Sequence, residues 1–262
     1  MIFNLVSILI FLIFNSVESL DFPEKKNDVS VEILPKNGVF MVEDSYYFGI
    51  KFNLKNGWKT YWKNPGDAGE PISINWINKN NDDELELLFP FPQKFIENEI
   101  RTIGYENEVI FPVKVSKNFF EKIDKKIELN YLICKDVCLP IKQIKALQLD
   151  FNNIISSVEF NDSYNLVPKS NTYFFKLSLT KVLKDRVEIK IINNSNSTDQ
   201  QYSMFAFSDE ANLTIDKKLI TSDSFAINFD EDIKNIKHPI FISLSNGKEF
   251  EEIKLFITDK KT

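Results

Sequence analysis

The chain has 262 residues, and 43% of them are hydrophobic, including 24 Phe. That length suits one large domain or two of about 100–130 residues each, and the composition excludes a disordered protein. A net charge of −6 with a pI near 5.1 argues against a nucleic-acid partner, because phosphate backbones require a basic face.

Met1 to Phe14 is apolar except for Asn4 and Ser7. Val17 and Ser19 then place small or compact residues at −3 and −1 of a cut after Ser19, as in a secretory signal peptide. The n-region lacks Lys and Arg. The run is shorter than the roughly 20 apolar residues a spanning helix requires. Residues 1–19 are therefore read as a signal peptide for export, with a retained N-terminal membrane anchor as the alternative. No cysteine follows the run to carry a lipid anchor, and no later segment has the length to span a membrane. Outside the cytoplasm, disulfides form and persist.

From Val29 onward, short strand-like runs alternate with turn signals. Val29 to Leu34 alternates and stops at Pro35, and Asn37-Gly38 is a turn. Tyr46 to Leu54 is aromatic and β-branched, and Asn56-Gly57 predicts a hairpin turn after it. Trp58 to Trp62 is a short aromatic run, and a turn-rich loop runs from Pro65-Gly66 to Pro71. Strands follow at Ile72–Trp76, Leu85–Phe89 and Val109–Val115, where Pro112 predicts an edge or a bulge. Ile127, Leu129 and Tyr131 share one face of a strand running into Cys134, and Ile141 to Leu149 returns as its antiparallel partner. Residues 152–171 are rich in Asn, Ser and Asp and read as an interdomain linker. A second strand series occupies residues 172–262, with Asn246-Gly247 as a hairpin turn before its last strand. Helical periodicity is weak throughout. The expected fold is all-β: one β-sandwich over residues 22–151 and a second, smaller one over 172–262.

Both cysteines of the chain, Cys134 and Cys138, lie in one stretch as Cys-x3-Cys. A structural disulfide is one reading. Closing a ring of about five residues is worth about 2 kcal/mol in the chain-entropy model, against about 4.7 for a loop of about 100. So local a bridge is a weak staple, and short-loop disulfides tend to be exchangeable. A redox couple is the other reading. Lys135, between the sulfurs, would favour a thiolate. Asp136 would oppose it or relay a proton, and both residues would otherwise be a solvated turn. One His and two Cys cannot complete a four-ligand zinc site without carboxylates, so no metal or other cofactor is assigned. His238 stands far from the pair in sequence. Trp58, Tyr61 and Trp62, taken alone, read as core aromatics, and Asp67 lies in the turn-rich loop, the kind of segment that often carries function.

Gly57-Trp58-Lys59-Thr60-Tyr61-Trp62-Lys63-Asn64-Pro65-Gly66-Asp67-Ala68-Gly69-Glu70-Pro71 resembles the signature of the N-terminal periplasmic domain of the disulfide-interchange protein DsbD, closest to the ScsB-like branch. The similarity continues through Phe89-Pro90-Phe91-Pro92, Gly104 to Val109, Phe111-Pro112-Val113 and Tyr131 to Pro140. It covers about residues 30–150. The resemblance implies an immunoglobulin-like β-sandwich and a role in passing reducing equivalents from a membrane-embedded hub to periplasmic thioredoxin-like proteins. It also implies that Cys138 exchanges with the partner and Cys134 resolves. Trp58 and Tyr61 would line the site, and a cap loop near Glu99 to Tyr105 would shield it, with Ile103 or Tyr105 as the capping side chain.

Two features depart from that family. The best-studied members have a wider cysteine spacing than the three residues here. The chain to Thr262 also carries neither the multi-helix hub nor a thioredoxin-like domain, so separate polypeptides are expected to supply them. The expected activity is thiol-disulfide exchange. The alternatives are a non-catalytic interaction module with a local structural disulfide and, third, a copper-handling protein.

Overall fold

The structure is a computed structural model that describes residues 28–77, 85–116, 126–192, 201–216 and 223–257. Residues 1–19, read as a signal peptide, lie outside the described residues. Among the described residues no helix is long and apolar enough to cross a membrane.

The first sandwich encloses a core between two antiparallel sheets. One runs β1 (Val29–Leu34), β3 (Ser45–Leu54), β9 (Glu108–Val115) and β6 (Leu85–Leu87), with β2 (Phe40–Val42) also on β3. The other runs β11 (Cys138–Ala146), β10 (Lys126–Cys134), β4 (Lys59–Gly66), β8 (Ile100–Glu106) and β7 (Gln93–Glu97), with β5 (Ser73–Trp76) on β10. Side chains alternate across a strand. Ile127, Leu129, Tyr131 and Ile133 therefore enter the core with Phe48, Phe52 and Phe111. Leu132 and Cys134 face the other side of the same sheet.

Two turn expectations change in the folded chain. Asn56-Gly57 does not close a hairpin: β3 and β4 belong to different sheets, so the turn carries the chain across the sandwich. Gly57 has φ +85° there, a conformation that glycine adopts without steric cost. Pro112 lies in β9, which has neighbours on both sides and is not an edge strand. Its carbonyl accepts from Leu88 N–H at 2.8 Å, so its nitrogen points the same way, to the side where β6 has ended at Leu87. The missing donor therefore falls at the end of the β6 ladder and not within it.

The stretch read as a linker is folded. It holds the helix α1 (Val158–Asn165), started by Ser157, whose hydroxyl accepts from Phe160 N–H at 3.2 Å. Phe160 is fully buried and stacks on Phe40 at 3.9 Å. Ser163 Oγ donates to the Ile110 carbonyl at 2.6 Å. The helix thus covers the outer side of the first sheet.

The second sandwich pairs two four-stranded sheets. One runs β12 (Lys169–Ser170), β19 (Phe250–Leu255), β18 (Ile240–Ser245) and β15 (Ser203–Phe207). The other runs β13 (Lys176–Val182), β14 (Arg186–Ile192), β17 (Ser224–Phe229) and β16 (Leu213–Asp216). Val187, Ile189, Ile227, Ile242 and Leu244 fill its core. Asn246-Gly247 turns β18 into β19 as the sequence predicts, with Gly247 at φ +87°.

The two sandwiches share packed side chains. Phe205 of β15 belongs to the first core, 5.8 Å from Trp62 and 5.2 Å from Phe91 by ring centroids. Lys63 forms an ion pair with Glu252, and Asn64 Nδ2 donates to the Ala206 carbonyl at 2.8 Å.

Candidate functional site

β10 ends at Cys134, β11 starts at Cys138, and the two cysteines are register partners across the hairpin. The turn between them is closed by Lys135 N–H donating to the Val137 carbonyl at 3.1 Å. The sulfurs are bonded, with Cα atoms 4.1 Å apart. Cys134 is buried at 6% exposure, whereas Cys138 is exposed on the edge strand. Disulfide exchange requires in-line access to one sulfur. Of the two sulfur-bearing residues, Cys138 is the one open to solvent and Cys134 the one that is covered.

The register extends this pair into a row. Cys134 is opposite Lys59 on β4, and Lys59 is opposite Glu106 on β8. Direct cross-strand partners present their side chains on the same face. Glu106, Lys59, Cys134 and Cys138 thus form one line across four strands, on the face turned from the core.

Lys59 is the charged centre of that face. Its side chain is only 9% exposed, and its Nζ lies 2.5 Å from Glu97 Oε1 and 5.1 Å from the Phe95 ring centroid. Phe95 and Glu97 belong to β7, whose hairpin with β8 turns at Asn98-Glu99, both at positive φ. Ile96 and Ile100, 64% and 49% exposed, flank the tip. Tyr61, two residues beyond Lys59, lies on the same face. Burial first, and then the Glu97 carboxylate, raise its phenol above the ordinary value. The loop after β4 closes over its ring: a Cβ on Gly69, which has φ +116°, would lie 2.4 Å from Tyr61.

Asp67 braces this loop against the hairpin. Its carboxylate accepts from Arg101 N–H at 2.9 Å and from the Arg101 guanidinium twice at 3.2 Å. Those bonds hold its carboxyl below the usual value. Asp67 is thus engaged at Arg101.

Strand alternation divides the other expected residues. Trp58 is buried in the core with Trp62, on the opposite face from Lys59 and Tyr61. Tyr105 is also core: its hydroxyl donates to the Pro90 carbonyl at 2.6 Å, its ring meets Phe111 edge-on at 5.1 Å, and burial raises its phenol well above the ordinary value. Ile103 packs against the same core. These three side chains do not sit on the cysteine face, because Trp58, Ile103 and Tyr105 alternate with Lys59, Gly104 and Glu106. Lys135 donates its ammonium to the Asn56 carbonyl at 3.3 Å, and Asp136 is exposed in the turn. Sequence reasoning missed Lys59, Phe95 and Glu97. The signal for Lys59 was the period of two in Trp58-Lys59-Thr60-Tyr61-Trp62, which separates Lys59 and Tyr61 from both tryptophans. Among the described residues, no group of three or more His, Cys, Asp or Glu is placed to hold a metal ion.

The class these features define is an immunoglobulin-like β-sandwich that presents a local cysteine disulfide on an edge hairpin, with one sulfur open and the other covered. Residues 30–149 match the family described as thiol:disulfide interchange protein DsbD, N-terminal. The whole described fold is similar to the crystal structure of the N-terminal periplasmic domain of ScsB from Proteus mirabilis. The TM-score is 0.63 at 17% sequence identity, over 87% of this chain and 92% of that one. That coverage exceeds the first sandwich, so the second sandwich shares in the likeness. A comparison with curated protein sequences gives no match.

Proposed function

We propose that this protein is a periplasmic thiol-disulfide exchange protein, with Cys134 and Cys138 as the redox couple. Cys138 makes the mixed disulfide with a partner, and Cys134 resolves it. The reading places the protein between a membrane-embedded reductase hub on a separate chain and periplasmic thioredoxin-like proteins. The observation that carries it is the unequal exposure of the two sulfurs: one open to attack, the other covered and ready to leave. The match of residues 30–149 to the DsbD N-terminal family supports the chemistry. A periplasmic location fits the apolar N-terminal run, the disulfide, and the likeness of the fold to a periplasmic domain of ScsB.

The test is the reduction potential of the Cys134–Cys138 pair in the folded, exported form, set against glutathione buffers. A value between about −270 and −120 mV places it among working exchange proteins, whereas one well below about −300 mV marks a structural bridge. In the second case the protein is an interaction module and the exchange reading fails.

A further inference from the structure

We infer that Lys59 is the counter-ion of the Cys134 thiolate, transferred to it from Glu97 when the disulfide opens. This deepens the exchange reading and rests on it. Lys59 and Cys134 are register partners on adjacent antiparallel strands, which places their Cβ atoms about 4.5–5.5 Å apart on one face. The four-carbon lysine stem spans that gap. The Lys59 side chain is 9% exposed, so its charge is less screened than a surface lysine's. In the disulfide form Cys134 carries no charge, and the ammonium turns to Glu97 at 2.5 Å.

The chemistry calls for a cation there. A thiolate of a thioredoxin-type dithiol attacks Cys138 Sγ. A bond forms between the partner's sulfur and Cys138, the Cys134–Cys138 bond breaks, and its electron pair leaves on Cys134 Sγ. That negative charge appears opposite Lys59. A leaving thiolate of lower pKa leaves faster. The partner's second thiol then gives up its proton and attacks its own bound sulfur. Cys138 is released and takes that proton. The partner ends as a disulfide, and the pair ends as one thiol and one thiolate.

The surrounding charges do not supply an alternative in the row. Glu106 flanks Lys59 on β8, Glu97 reaches it from β7, and Tyr61 follows it on β4. All three are acids. In the turn, Asp136 is another acid, and the Lys135 ammonium is donated to the Asn56 carbonyl. Lys59 is the cation in register with the covered sulfur.

Cys138→Ser leaves Cys134 as the one thiol of the chain, so its thiolate absorbance against pH reports on that sulfur alone. The expected midpoint lies at least about one pH unit below the ordinary thiol value near 8.5. Adding Lys59→Met should raise it by about one unit, tenfold in thiolate fraction. Lys59→Arg should restore it, and Glu97→Gln should lower it further by removing the competing carboxylate. A midpoint unmoved by both Lys59→Met and Glu97→Gln overturns the inference. Should Lys59→Met fail to fold, Glu97→Gln decides alone, since it keeps the ammonium. The two readings fail separately. A shifted Cys134 titration with a native pair below about −300 mV sinks the exchange role and leaves the Lys59 pairing standing, while a working potential with an unmoved titration does the reverse.

Discussion

Lys59 and Cys134 stand opposite one another in neighbouring strands, and Cys138 stands opposite Cys134 on the next strand out. One register therefore sets the charge, the covered sulfur and the open sulfur in line. Because the line ends at an edge strand, the outermost position is the one a partner can reach.

Partner trapping follows from the order of that line. Cys134→Ser leaves the open sulfur and should hold a mixed disulfide with a thioredoxin-type partner. Cys138→Ser leaves the sulfur that is 6% exposed and should hold little. Non-reducing electrophoresis of the purified variants with a single-cysteine partner checks this, and equal trapping by both would contradict the assigned order.

Glu97→Gln should loosen the β7–β8 hairpin without unfolding the sandwich. Glu97 is 63% exposed at its side chain, so losing the pair costs at most about 1 kcal/mol. The effect is local: amide exchange at Ile96 to Ile100 should quicken while the protection of β10 stays unchanged. Hydrogen exchange by mass spectrometry resolves the two segments.

Asp67 gives a pH signature. Its folded pKa is depressed below the unfolded value of 3.8 by the bonds from Arg101. A depressed carboxyl stabilises the fold above the unfolded pKa, and that contribution is lost as pH falls through the folded value. Wild type should therefore exceed Asp67→Asn in stability at neutral pH. The gap should close below pH 3.8. Both side chains are about one-third exposed, so the gap should stay within about 1 kcal/mol. Urea unfolding at several pH values measures it.

Phe205→Ala tests the contact between the sandwiches. The side chain is 7% exposed against Trp62 and Phe91, and removing a buried phenyl costs about 3–5 kcal/mol. The loss falls on the shared contact, so calorimetry should show two unfolding transitions where the wild type shows closer coupling. A single unshifted transition would mean that Phe205 does not join the units.

By itself the sequence determined the all-β class, the two strand series, the β10–β11 hairpin and the pair of cysteines at its turn. These depend on local alternation and turn chemistry, which are written residue by residue. Asn246-Gly247 worked as a turn signal because its two strands are adjacent in one sheet. Asn56-Gly57 carried the same local signal, yet its strands lie in different sheets, and only the packing of the sandwich decides that. The short helix over Phe160 was hidden in a polar stretch, because eight residues carry little periodicity and the burial of one phenyl on Phe40 holds it. Tertiary structure alone decided the composition of the site. The run from Trp58 to Asn64 reads as one motif, but strand geometry sends Trp58 and Trp62 into the core, Lys59 and Tyr61 to the cysteine face, and Lys63 and Asn64 to the second sandwich. Cross-strand register pairs Lys59 with a cysteine far along the chain, and no local pattern encodes which residue a strand will face.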